Sequence, residues 1–449
     1  MVGYRIFLLP IFEPDSVQGL MGGDPLLYHI MAIDLVQQIR TEGWAAWSLR
    51  PEGQAPAGVL ALLYLLVGNW SMAIIPVNAA FHAGTTTALF AIASRYAPAP
   101  LALLACLPFW LSPYHMMWLS QPNKDSFSSF GAVLIIGAFL VLARALGEQS
   151  SRTWRAWAIG LLLLLAGAAL AAVARPYLAK VAVVAGVAAL IMFVAALVRG
   201  RFAGRALSTR AAGQILSLIL VLFVIYGLAA KLQHSGVENN VDESLETALE
   251  DPGSVPWQPK GWLPKSVDYL VYAVVVSQRE TFRELVHDKN VTTRQVLIDL
   301  DRKFDNAIDA LLYVPRALQI GLLAPFPDLW SFFGVPSSSI FRNFLTWIML
   351  VGYVGYALLV WALVTHRRRF ELAVGTAAAL VFVLAYAFAT PHIGVLDRFR
   401  YPFFSCLVIL GFASALGVWY QGRYRPFPVQ ESAAMRSTAP SFERRSRVR

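Results

Sequence analysis

Apolar and polar positions alternate along this chain in blocks. Nine apolar runs approach or exceed the roughly 20 residues that a helix needs to cross a bilayer. They are Ser71–Ser94, Pro100–Leu119, Phe127–Leu146, Ala156–Val173, Leu178–Val198, Gly213–Lys231, Phe344–Thr365, Leu372–Ala389 and Phe403–Tyr420. The pattern predicts an all-α, polytopic helical membrane protein. Two further runs are too short. Tyr4–Phe12 gives only about 15 Å of helix, and it reads as a re-entrant piece or as the remainder of an incomplete N-terminal span that starts upstream. Ala57–Val67, ended by Gly68-Asn69, reads as a surface or half-inserted helix.

Between these two short runs lies a more polar stretch, Gly22-Gly23-Asp24-Pro25-Leu26-Leu27-Tyr28-His29, continuing through Asp34 and Gln37 to Trp44. The glycines allow a sharp turn. Asp24 is placed to cap a helix whose first turn holds Pro25. Leu27, Ile30, Met31 and Leu35 form an imperfect stripe, the pattern of a helix lying on a membrane surface.

Composition agrees with this reading. Of 449 residues, 57% are hydrophobic and 14% are charged, against about a quarter charged in soluble domains. A net charge of +10 would suggest nucleic acid in a soluble chain; here it marks cytoplasmic loops, and no nucleic-acid partner is expected. Arg95, Arg144, Arg152, Arg155, Arg199, Arg201, Arg205, Arg210 and Arg367 to Arg369 occupy alternate connections, together with the arginine-rich tail 421–449. They share one side only if Ala57–Val67 does not cross, and lysine and arginine bias makes that side cytoplasmic. The tail reads as disordered. The other side receives the first loop, 13–70, and a large loop, 232–341. Residues 1–420 make one membrane domain.

The large loop carries the acidic cluster Glu238, Asp242, Glu243, Glu246, Glu250 and Asp251. An amphipathic helix is expected next, with Val296, Leu297, Leu300, Phe304, Ile308, Leu311 and Leu312 on one face. The proline-bounded Pro315–Pro327 reads as re-entrant or interfacial. Cys106 and Cys406 fall inside apolar runs and read as buried free thiols.

Three polar groups meet the outer membrane face. In Gln121-Pro122-Asn123-Lys124-Asp125, Asp125 either caps the following helix or serves a site. Arg175-Pro176-Tyr177 with Lys180 either snorkels to the interface or binds an anion. In Asp397-Arg398-Phe399-Arg400-Tyr401-Pro402, the arginines either pair with Asp397 or present forks to phosphate. His29, His82 and His115 lack the spacing of a metal helix, so no metal is assigned. Walker, Rossmann and Ser-His-Asp motifs are not evident. Two carboxylates and several cations at headgroup depth suit chemistry on a lipid-linked phosphate.

The layout resembles the GT-C glycosyltransferase superfamily, in particular bacterial relatives of protein mannosyltransferases and aminoarabinose transferases. Asp24 in Gly23-Asp24-Pro25 matches the acidic residue of their first outside loop. Gln54-Ala55-Pro56-Ala57 resembles their proline-led segment before the second span. Asp125 resembles their second acidic residue, and Arg398-Phe399-Arg400-Tyr401-Pro402 resembles the arginine-bearing start of a late span. Asp24 lacks a following acidic residue, and no soluble domain follows the last span in this sequence.

The resemblance implies transfer of a sugar from a polyprenyl-phosphate donor to a glycan, lipid or protein acceptor in cell-envelope assembly, outside a bacterial inner membrane. It implies Asp24 as general base. Asp125, Tyr28 and His29 would orient the acceptor. Arg400, Arg398, Lys124 and Arg175 would hold the lipid phosphate. No cofactor is implied, though a divalent cation could join Asp125. A polysaccharide polymerase or ligase, using Arg175, Arg279, Arg283 and Arg294, is the nearest alternative. A lipid-linked sugar flippase or an assembly protein is the other, weakened by spans nearly free of charge and by the lack of a clear repeat.

Overall fold

A computed structural model of the chain describes residues 1–9, 19–21, 23–110, 112–147, 153–202, 209–233, 257–265, 298–299, 304–330, 337–366, 369–390 and 392–424, with isolated positions between 268 and 302. Thirteen α-helices run through these residues: α1 Asp24–Glu42, α2 Ala55–Val67, α3 Ile75–Ala93, α4 Ala99–Trp110, α5 Pro113–Leu119, α6 Asp125–Gly147 and α7 Thr153–Ala174, then α8 Pro176–Phe202, α9 Thr209–Gln233, α10 Ala307–Leu323, α11 Ser337–Thr365, α12 Phe370–Ala389 and α13 Ile393–Tyr424. No strand lies among the described residues. The fold is all-α and polytopic. Eight of these helical stretches are long and apolar enough to cross a membrane, nine if the bent pair Ala55–Val67 and Ser71–Ala93 counts as one.

The sequence reading counts nine, a number reached here only with the bent pair, and the membership differs. Pro100–Leu119 is not one span. It divides into α4 and α5 around Ser112, whose ψ of 104° is extended. Pro113 imposes this, because a proline ring pushes the preceding residue out of the helical region. Ala57–Val67 ends as expected, at Gly68, and the chain then turns by 117° into Ser71–Ala93.

The N-terminus of α1 also departs from expectation. The cap position belongs to Gly23, at φ 75°, a conformation that favours glycine. Asp24 stands inside the helix and its side chain caps nothing. The expected stripe is rotated as well. Leu27 and Ile30 are exposed, whereas Ala32, Leu35, Val36 and Ile39 are buried together with Leu60, Ala61 and Tyr64 of α2. Helix α1 has an apolar residue on both flanks, and the face against α2 is the one it buries.

Helix α6 is the axis of the bundle, with α7, α12, α3 and α13 around it. Its closest approach is to α7. A Cβ at Gly131 would come within 2.7 Å of the Gly167 carbonyl, and one at Gly167 within 2.8 Å of the Gly131 carbonyl. Without a hydrophobic drive between helices in lipid, such backbone contact supplies the packing.

The bundle is polarised. The C-terminal end of α3, the end of α6 and the start of α12 gather Arg95, Arg144 and Glu371, with Arg369 over the Tyr96 ring at 5.5 Å. The opposite end carries Asp125, Arg175 and Arg398. Helix α10 is apolar enough to span, yet it does not run the length of the bundle. Its Tyr313 packs on Phe388 at the far end of α12, and its C-terminal Gly321 lies against Val383 and Ala387 of the same helix. It dips in from the carboxylate end and stops part-way, as expected for Pro315–Pro327. Phe304 is buried, but Leu311 and Leu312 face outward. Val296, Leu297, Leu300, the acidic cluster 238–251 and the tail from 425 lie outside the described residues.

Two outcomes follow. A single cysteine placed at exposed Thr41 and one at exposed Arg423 should label from opposite membrane faces with an impermeant maleimide; labelling from one face overturns the polarity. Gly167→Val should force α6 and α7 apart at about 1–3 kcal/mol, visible as a lower midpoint when heated protein is followed by size-exclusion chromatography.

Candidate functional site

The site is built on helix ends. Asp125 opens α6, Arg175 fills the single-residue break between α7 and α8, and Arg398 stands in the second turn of α13. Positions so far apart in sequence meet because every second connection returns to this end. Asp125 Oδ1 accepts from Arg175 Nη2 at 2.8 Å, while its other oxygen accepts from Arg398 Nε. One carboxylate, with 6% of its side chain exposed, is thus shared by two guanidinium groups at 5% and 8%. Aromatic rings complete the cage. The Arg175 guanidinium carbon lies 3.7 Å from the centre of Phe399, and that of Arg398 lies 4.5 Å from Trp118. Both rings attract cations through their faces. Arg175 also donates to the Tyr386 hydroxyl, and Tyr177 adjoins Tyr386.

Asp24 meets the same cluster from α1. Its Oδ2 lies 3.6 Å from Arg398 Nη1, and 52% of its side chain is exposed. The contrast with Asp125 assigns their capacities. A carboxylate open to solvent can exchange a proton with an incoming group; one sandwiched between two arginines positions them instead. Tyr28, one turn further along α1, is buried with its phenol among Asp24, Arg175, Arg398 and Asp125, and burial followed by the Asp24 charge pushes that phenol up.

The expected residues therefore divide. Asp24, Tyr28, Asp125, Arg175 and Arg398 come together. Lys124 is half-buried beside Asp125. His29 turns to the other side of α1, where it hydrogen-bonds the Tyr64 hydroxyl of α2. Burial, then the Arg5 charge, pull its imidazole down.

Arg400 lies elsewhere too. It is 1% exposed and donates to the carbonyls of Gly321 at 2.7 Å and Ala324, and to Asp397 Oδ1 at 3.0 Å. The cause is local. Residue 325 is proline and has no N–H to give the Gly321 carbonyl at the end of α10. Arg400 fills that vacancy, and a cation suits a helix C-terminus. The other Asp397 oxygen is 3.4 Å from His115 Nε2, and Ser112 Oγ is 2.6 Å from His115 Nδ1. Burial pulls the His115 imidazole down.

Spacing alone could have separated the two arginines. Residues two apart on a helix do not share a face, so Arg398 and Arg400 cannot converge on one ligand. Trp118, Phe399 and Tyr386 had no such signal. Arg279, Arg283 and Arg294 lie outside the described residues. Among the described residues, no three His, Cys, Asp or Glu side chains gather in a metal-sized group.

No family model matches this chain, and no curated protein matches it. Two solved structures are similar to it. One is the archaeal oligosaccharyltransferase AglB from Archaeoglobus fulgidus, in complex with an inhibitory peptide and a dolichol-phosphate, at 13% identity and a TM-score of 0.46. The other is the Archaeoglobus fulgidus oligosaccharyltransferase in the apo form, at 15% and 0.47. Each match covers 94% of this chain and 49% of the other, so the chain spans about half the length of these structures.

The shared carboxylate yields a stability prediction. Asp125→Asn leaves two buried arginines facing each other, a loss of about 3–5 kcal/mol by the behaviour of broken buried pairs. Thermal unfolding in detergent should move clearly downward, whereas Asp24→Asn, at the exposed position, should leave the midpoint nearly unchanged.

Proposed function

We propose that the protein is a membrane glycosyltransferase that moves a sugar from a polyprenyl-phosphate donor to an acceptor at the carboxylate end of the bundle. This end is taken as extracytoplasmic because Arg95, Arg144 and Arg369 stand at the other, on the arginine-bearing connections. The observation that carries the reading is the contact between exposed Asp24 and the buried Arg398, 3.6 Å apart. It sets a proton acceptor beside a cation that a phosphate can approach.

The chemistry balances on these groups. The acceptor hydroxyl attacks the anomeric carbon and gives its proton to Asp24. The bond from that carbon to the phosphate oxygen breaks with inversion, and the electron pair leaves on the polyprenyl phosphate. Arg398, 8% exposed and backed by Arg175, carries the developing phosphate charge. Asp125 holds both forks at the required spacing, so it acts as a positioning residue. Tyr28 closes the inner wall. Lys124 stands at the rim as a further cation, and Arg400 fixes the end of α10. This chemistry serves a glycan, a lipid or a protein acceptor alike.

The test is transfer by purified protein from a panel of radiolabelled polyprenyl-phosphate sugars. Asp24→Asn keeps the size of the side chain but cannot accept the proton, so turnover should fall about 10²–10⁴-fold. Arg398→Lys retains charge without the planar fork and should raise the donor KM more than it lowers kcat. Undiminished transfer by Asp24→Asn, or no transfer from any polyprenyl-phosphate sugar, overturns the assignment.

A further inference from the structure

The end of the bundle opposite Asp125 carries a second gathering of charge, which the glycosyltransferase reading does not use. Its parts come from helix ends. Arg95 and Tyr96 follow α3, Arg144 stands in the last turn of α6, and Arg369 and Glu371 open α12. Among the described residues, three guanidinium groups meet one carboxylate here, and the Tyr96 phenol lies among all four. Arg95 and Arg144 are exposed and Arg369 is half-buried. These cations face the surrounding medium, whereas Arg175 and Arg398 at the other end are buried.

Tyr96 supplies the observation that points to a ligand. It is 5% exposed, and its hydroxyl has no hydrogen-bond partner among the described residues. A buried donor left unpaired is costly. Glu371 is near enough to act on the phenol but does not accept from it. The ring is held in place. The Arg369 guanidinium carbon lies 5.5 Å from its centre, and α13 comes so close at Gly417 that a Cβ there would strike the Tyr96 carbonyl. The start of α12 adds donors, because no side chain caps that helix and the first turn of a helix leaves N–H groups for an anion. An acceptor that sits among three guanidinium groups is itself an anion.

The depth of the cluster identifies the source of that anion. Trp154 of α7, Trp361 of α11, and Trp419 and Tyr420 of α13 are exposed, and all stand at this end of their helices. Tryptophan and tyrosine at the ends of spanning helices mark the level of the lipid headgroups. The Arg423 guanidinium carbon lies 5.6 Å from the Trp419 centre, so a further cation sits at that level.

We infer that the cluster of Arg95, Arg144 and Arg369 binds the phosphate of an anionic phospholipid in the leaflet at this end, and that the Tyr96 hydroxyl donates to a phosphate oxygen. The inference is independent of the reaction at Asp24 and Arg398. Basic pockets between spanning helices hold anionic headgroups in this way. A zwitterionic headgroup brings its own cation and fits an excess of positive charge less well.

The test uses full-length protein, delipidated in detergent and titrated with palmitoyl-oleoyl phosphatidylglycerol or the matching phosphatidylcholine. Native mass spectrometry counts bound lipid, and thermal unfolding reports stabilisation. Phosphatidylglycerol should bind about tenfold more tightly, the scale set by an excess of one or two arginines at a membrane surface, and should raise the midpoint. Arg369→Gln should remove most of that preference. Tyr96→Phe deletes only the unpaired hydroxyl. Without lipid its midpoint should equal or exceed that of the parent, since no protein hydrogen bond is lost, while its affinity for phosphatidylglycerol falls about tenfold. Equal binding of the two lipids, or a preference unchanged in both variants, overturns the proposal. A preference lost in Arg398→Gln but kept in Arg369→Gln moves the phosphate to the other end and overturns it too. Inorganic phosphate that displaces phosphatidylglycerol and stabilises the protein equally identifies a soluble ligand and overturns the lipid.

Discussion

Asp125 is the constraint on which this molecule turns. A carboxylate at 6% exposure must be compensated, because an unpaired charge removed from water is costly by several kcal/mol. Arg175 and Arg398 compensate it from two other helices, and their own burial makes the dependence mutual. The result exceeds neutrality: two cations share one anion, leaving a local excess of positive charge just inside the surface. Asp24, at the rim, balances that excess from a solvent-exposed position. The same ion pairs fix the ends of α6, α8 and α13.

A second buried group does different work at nearly the same depth. Arg400, Asp397 and His115 are held among helix ends, and the guanidinium replaces a hydrogen bond that Pro325 cannot make. Arg398 and Arg400, two residues apart, face opposite directions into a site and into a joint. The joint stations α10 against α12, with Gly321 in contact with Val383 and Ala387.

Much of this architecture was legible in the sequence. Long apolar runs define the spans because a bilayer sets their length, and alternate arginines order them. Prolines were the misleading or decisive residues. Pro113 broke a run that hydropathy alone joined, whereas Pro315–Pro327 correctly marked a segment that dips and returns. On α1, the stripe is divided: Leu27 and Ile30 are exposed, whereas Leu35 is buried against α2, which the periodicity alone did not indicate. Asp24 and Asp125 could be singled out as carboxylates at helix starts. Their partnership could not, since Asp125 and Arg398 are separated by 273 positions and no local pattern encodes which distant cation a carboxylate meets. The stacking rings were hidden for the same reason.

That separation has a consequence for how the molecule is made. Arg175 emerges only 50 positions after Asp125, so their pair can close as soon as α6 and α7 have left the translocation channel. A growing chain then carries its buried carboxylate already neutralised, with no isolated charge stranded in lipid during the long synthesis of the middle region. Arg398 follows only after the middle region has been made, 273 positions beyond Asp125, so the second arginine reaches a carboxylate that is already paired.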